Sequence, residues 1–186
     1  MTFHPLRSLF WTSYLKMVSL IIFAFLSNIG HSQSLNWGAN KKLTWTDFKA
    51  PTKNWDVAAV TYCGISMSSV KTNIWNGKST YKAFAEFQCD SSFYFPEKVD
   101  DDVLAHEQLH FDIAELYARK LNLILFEESF ITAEKASELY DQIYKEYYDY
   151  QVQYEEDTEL GTNYINQEKW AIRIQKQLIE IGGLKN

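Results

Sequence analysis

Histidine, cysteine and basic charge are scarce in this chain of 186 residues. There are four histidines, and His4 and His31 stand in or at the end of the first 32 residues, leaving only His106 and His110 beyond them. The two cysteines, Cys63 and Cys89, have no C-x-x-C spacing, so nothing supports a cysteine-based metal knuckle. In an oxidising compartment the two thiols are expected to pair as a disulfide. The chain also lacks an apolar run of the roughly 20 residues that a membrane-spanning helix needs. The greasiest stretch, Met17 to Leu26, is about half that length. No cysteine ends it, which excludes a lipid-modified cysteine there. No internal repeat and no low-complexity segment is present.

That short apolar stretch sits in a distinctive setting. Arg7 and Lys16 precede or open it, and Ser27, Gly30, Ser32 and Ser34 follow. A basic start, a short apolar core and small residues at the exit make the pattern of a secretory signal peptide. Residues 1–32 are therefore expected to be a signal, cut near residues 30–34. Residues 33–186 would form a single domain, exported to the periplasm or the medium and not inserted in the membrane after cleavage. Setting aside Arg7 and Lys16 leaves 16 basic against 24 acidic residues, net −8. That balance argues against nucleic acid or an anionic membrane as partner. About 150 residues are enough to bury one core.

The first part of this domain reads as β. Leu43 to Phe48 alternates and stops before Pro51. Val57 to Met67 is uncharged and β-rich, and Asn76-Gly77 marks a hairpin turn. Tyr81 to Gln88 sets Tyr81, Ala83, Ala85 and Phe87 against Lys82, Phe84, Glu86 and Gln88. Ser91 to Phe95 extends the pattern as far as Pro96. After Pro96 the period changes. Asp100, Asp101 and Asp102 provide an acidic start to a helix running to about Leu125, apolar on most sides and hence buried. Thr132 caps a second helix, from Ala133 to about Glu155, with a stripe at Tyr140, Tyr144, Tyr147, Gln151 and Tyr154. A third runs from Tyr164 to about Ile181 and stops at Gly182-Gly183. The expected fold is α+β, a small antiparallel sheet followed by three helices. Trp45, Trp55, Trp75 and Trp170 read as core residues.

The chemistry is concentrated in His106-Glu107-Gln108-Leu109-His110. Residues four apart on a helix share a face, so both imidazoles can reach one Zn²⁺. Glu107 lies about 100° further round and need not ligate the metal. It would act as general base, taking a proton from a water that zinc acidifies toward pKa about 7, and passing it to the leaving amine. The expected reading is the active-site helix of a zincin-like metallohydrolase acting on a peptide or protein. The third ligand has no histidine to draw on. Asp112 points about 200° away and is expected to anchor the helix to the sheet, and Glu115 is also poorly aimed. Glu138, Asp157 and Glu159 remain as candidates. Tyr154 is a candidate donor to a developing oxyanion.

His106 to Asp112 reads HEQLHFD, and Leu43-x-Trp45-x-Asp47-Phe48 precedes it. Together these resemble a family of exported bacterial proteins described as zinc-dependent proteases, over about Leu43 to Ile174. The family's late segment Tyr-Asp-x-x-Thr-x-His-Gly corresponds to Tyr154 through Gly161, followed by Gln167 and Trp170. Its histidine, a natural third ligand, falls on Leu160. The resemblance implies either a substitute such as Glu159 or Asp157, a weak metal site, or a non-catalytic envelope protein that keeps the helix as scaffold.

Overall fold

A computed structural model describes residues 33–53 and 56–183. The expected signal, residues 1–32, and Trp55 lie outside the described residues. Five strands precede three helices: β1 (Ser34–Asn36), β2 (Ala59–Val60), β3 (Cys63–Thr72), β4 (Ser79–Gln88), β5 (Phe93–Tyr94), then α1 (Asp101–Glu128), α2 (Ala133–Thr158) and α3 (Tyr164–Gly183). The sheet order is β1-β4-β3, with β2 and β5 as a separate pair, all antiparallel. The class is α+β, as expected. No helix among the described residues is long and apolar enough to cross a membrane.

The β3–β4 hairpin turns through Gly77, whose φ of +68° suits glycine. Along β4 the alternation holds: Ala83, Ala85 and Phe87 are buried, while Lys82 faces water. The small alanines admit α1 onto this face. Asn122 of α1 binds Ala83 through both its amide atoms at 2.8 Å. Asp100 caps α1 by accepting from the Val103 N–H. Gln108 and Asp112 fasten the helix to the chain that precedes the hairpin. Gln108 accepts from the Leu43 N–H at 2.7 Å and donates to Asp112. Asp112 accepts from Trp37 Nε1 at 2.7 Å, just beyond β1. Asp112 thus anchors the helix, to Trp37 and Lys42 in the segment after β1 rather than to a strand of the sheet.

Several expectations are corrected. Leu43 to Phe48 is not a strand; Trp45–Asp47 forms a 3-10 turn. Asp47 accepts from the Thr44 N–H and hydroxyl, and its own N–H returns to the Thr44 carbonyl. This local exchange outcompetes sheet pairing. The Val57–Met67 strand is broken at Thr61 and Tyr62, with β2 on one side and β3 on the other. Trp75 is not core: it is 91% exposed at the hairpin tip. Cys63 and Cys89 are free thiols. Cys63 stands opposite Phe87, so Cys89 is a diagonal neighbour two residues on. Such diagonals are about 7–8 Å apart, beyond disulfide reach.

Helix α2 lays its stripe against α1 and the edge of β3. Tyr140 donates to the Ile65 carbonyl at 2.7 Å and Tyr147 to the Cys63 carbonyl at 3.1 Å. Trp170 of α3 is fully enclosed, edge-on to Tyr150 and Tyr154, with Nε1 donating to Asp157. Truncating so large a buried ring costs about 3–5 kcal/mol. Trp170→Ala is therefore expected to lower the melting temperature by about 6–20 °C, followed by circular dichroism.

Candidate metal centre

The two histidines of α1 meet one residue of α2. His106 and His110 point their Nε2 atoms at each other across 3.2 Å. Glu155 closes the triangle, with Oε1 at 3.2 Å from His110 Nε2 and Oε2 at 3.4 Å from His106 Nε2. These three residues form a group that can hold a metal ion. The expected third ligands do not take part. Glu138 is exposed and pairs with Lys135. Asp157 accepts from Trp170. Glu159 ends α2 and accepts from Asn163. Leu160 is 73% exposed in a left-handed backbone conformation.

The hydrogen bonds behind the rings decide which nitrogens face the triangle. Gln151 donates its amide N–H to the His110 carbonyl at 2.9 Å, so its oxygen faces His110 Nδ1 at 2.6 Å. Nδ1 must carry the proton there, leaving a lone pair on Nε2. His106 Nδ1 lies 2.8 Å from the Tyr154 hydroxyl and 3.1 Å from Gln167 Oε1. The Tyr154 hydroxyl donates on to Gln167 at 2.8 Å and so accepts from His106 Nδ1. Both imidazoles are therefore held from behind, as metal-ligating histidines are. Tyr154 is completely buried, and its ring stacks on His106 at 4.9 Å. Its hydroxyl is engaged behind His106, with the ring in the core, so the oxyanion role for which it was a candidate is not what the structure places there.

The front of the triangle brings two imidazole nitrogens and a carboxylate together, with no lysine or arginine among the described residues in contact. Glu155 Oε2 is buried without a hydrogen-bond partner among the described residues. Burial raises the Glu155 carboxyl, but the two imidazoles outweigh it and hold the group far below the usual carboxylate range. Burial works in the same way against a charged His110, yet Glu155 and Glu107 prevail and its pKa is raised. Two ligand bonds of about 2.0–2.1 Å meeting at the tetrahedral angle span about 3.3 Å. The Nε2–Nε2 separation of 3.2 Å fits that edge, and each Nε2 has one Glu155 oxygen at a similar distance, Oε1 beside His110 and Oε2 beside His106.

The chain matches no family model, no curated protein and no solved structure. The case for the centre rests on its own geometry. Glu107 is 6% exposed, and its carboxyl makes no hydrogen bond among the described residues. It stands outside the ligand triangle, but its charge reaches His110 and Tyr154. Gly161, with φ +81°, brings its backbone against the His106 ring; a Cβ there would sit 2.9 Å from Cγ. The His106 imidazole is thus packed by both Tyr154 and Gly161. Beside His110 and Glu155 opens a cavity of about 360 Å³ between the start of β3 and α2. A larger groove of about 1000 Å³ lies between α1 and α3 and includes none of the three ligands.

Glu155 was within reach of the sequence. It follows Gln151 by four residues on the same face of α2. It also occupies the aspartate position of the family segment, directly after Tyr154.

Proposed function

We propose that this protein is an exported zinc-dependent metallohydrolase, a peptidase, with His106, His110 and Glu155 as metal ligands and Glu107 as general base. The observation that carries it is the triangle itself: two imidazole nitrogens and a carboxylate converge at ligand spacing, while a second carboxylate stands outside it without a hydrogen bond among the described residues. Two histidines and one glutamate are a donor set that suits zinc, and three protein ligands leave one position of a tetrahedron open, the arrangement of catalytic rather than structural sites. Bound there, zinc would supply a Lewis acid that polarises a carbonyl and acidifies water.

The protein's own groups divide the work. Gln151, Gln167 and Tyr154 keep the rings turned so that Nε2 faces forward. Glu155 contributes the negative charge that offsets half of a dication. Glu107, without a hydrogen bond of its own, is free to accept a proton from water and return it to the leaving amine. Export and the kinship with exported bacterial proteases belong to this proposal and are supported by the signal-like first 32 residues and by the HEQLHFD segment. The scaffold alternative drew on Leu160; with Glu155 completing the triangle, the loss of a histidine at 160 no longer leaves the site short of a ligand.

Elemental mass spectrometry of the purified chain after zinc loading and dialysis tests the reading. Near-stoichiometric zinc is expected, and its loss in a His106→Ala/His110→Ala variant. Glu107→Gln is expected to keep the zinc and lose peptide hydrolysis by at least about 10²-fold, the contribution of a general base. A folded wild type that binds no zinc would sink the proposal. Full hydrolysis by Glu107→Gln would remove Glu107 from the mechanism.

A further inference from the structure

The cavity of about 360 Å³ beside the centre has a composition of its own. Tyr144, Tyr147 and Tyr148 give it aromatic walls, Thr61 and Glu156 add polar groups, and no lysine or arginine lines it. Tyr144 and Tyr148 are 43% and 60% exposed, so part of the wall is open to an incoming group. Thr61 Oγ1 is buried and has no hydrogen-bond partner among the described residues. Leaving a buried hydroxyl unpaired is costly, and its place in a cavity wall points to a ligand that pairs with it. Glu156 has no ion-pair partner among the described residues. Glu155 and Glu107 together offset the charge of a divalent ion in the centre, which leaves Glu156 as the uncompensated anion beside it.

These features select an occupant. An apolar side chain would leave Thr61 Oγ1 unpaired and strip water from Glu156 at no return. An acidic one would be repelled by Glu156. A basic side chain answers each feature: its charge attracts Glu156, its N–H groups reach an acceptor hydroxyl, and its cation sits well among tyrosine rings. A guanidinium does this best, since its planar fork carries five donors and stacks on aromatic faces. The volume is at the lower end of ligand pockets, about 300–1,000 Å³, and suits one long side chain rather than several.

We propose that this cavity is a specificity pocket for a basic side chain, arginine before lysine, next to the metal centre. As a substrate pocket it rests on the hydrolase reading; as a binding site it stands apart from it. Binding of argininamide, leucinamide and glutamic acid amide to the zinc-loaded full chain, measured by calorimetry, tests the pocket without any turnover. Argininamide is expected to bind at least about tenfold more tightly than either comparator, the order of one cation–π contact with one charge-assisted hydrogen bond. Glu156→Gln and Tyr148→Ala are each expected to weaken it about fivefold or more while zinc content stays unchanged. Equal or tighter binding of leucinamide, no binding of argininamide, or indifference to both substitutions would overturn the pocket. A fluorogenic peptide set separates the two readings. Cleavage with no preference for a basic residue flanking the scissile bond would overturn the pocket and leave the hydrolase standing. Glu156-dependent argininamide binding with no cleavage of any peptide would support the pocket and remove the hydrolase.

Discussion

Replacing Glu155 by glutamine is expected to weaken zinc binding by more than the 10–100-fold that the loss of a mere outer-shell partner costs. The substitution keeps the size of the side chain and an oxygen at its tip. What it removes is charge and ligand basicity. A carboxylate offsets half of a dication and is an ordinary zinc ligand, whereas a neutral amide oxygen belongs with harder ions. The matching substitutions at the residues that the sequence nominated, Glu138→Gln, Asp157→Asn and Glu159→Gln, are expected to leave affinity unchanged. Each of those carboxylates is already engaged, Glu138 with Lys135, Asp157 with the Trp170 N–H, and Glu159 with the Asn163 amide. Competition against a chelator of known zinc affinity separates the four variants. Melting curves give an independent check, because a ligand at a thousand times its Kd stabilises the folded state by about 4 kcal/mol. Zinc should raise the melting temperature of the wild type and of three variants, but not of Glu155→Gln. Wild-type zinc affinity in Glu155→Gln would place the third ligand elsewhere.

How much of this was legible beforehand depends on how local each signal is. The helices were, because their starts are written in a few residues: Thr132 accepts from the N–H three residues on, as expected of it, and of the three aspartates that open α1 it is Asp100 that does the same. The β3–β4 hairpin was, because Asn76-Gly77 and a period of two agree with each other. Leu43 to Phe48 misled because the same alternation also holds a Thr-x-x-Asp pair, and the pair closed on itself as a turn. Cys63 and Cys89 misled because pairing depends on strand register, and a diagonal placement is not visible until the register is known. The centre was half legible. His106, Glu107 and His110 lie within one turn of helix and declare themselves by spacing. Glu155 lies 45 residues beyond His110 and reaches the site only because α2 packs antiparallel along α1. The tyrosine stripe carried that information in disguise. Tyr147, Gln151 and Tyr154 were read as a packing face, and that face is what positions the rings, with Glu155 among them.

Gly161 offers the sharpest test of that positioning, because nothing about it is chemical. Its φ of +81° lies where a side chain costs about 1–2 kcal/mol. A methyl group would also stand 2.9 Å from His106 Cγ and 3.0 Å from Nδ1, closer than atoms can approach. The ring has little room to move, since Tyr154 stacks on it and is itself packed against Trp170. Overpacking of this kind costs about 1–3 kcal/mol more. Gly161→Ala is therefore expected to destabilise the protein by about 2–5 kcal/mol, lowering its melting temperature by about 4–20 °C. The stability loss alone would follow from any strained glycine. The distinguishing readout is zinc affinity, measured well below the melting temperature where the variant is folded. If Gly161 sets the His106 ring, affinity falls at least tenfold, in keeping with loss of an orienting contact. Gly77 provides the control: it too has positive φ, at +68°, but a Cβ there meets nothing within 4 Å. Gly77→Ala should cost stability through its backbone alone and leave zinc untouched. Equal zinc affinity in both variants would show that the packing of Gly161 and Tyr154 on His106 does not hold the ligand in place.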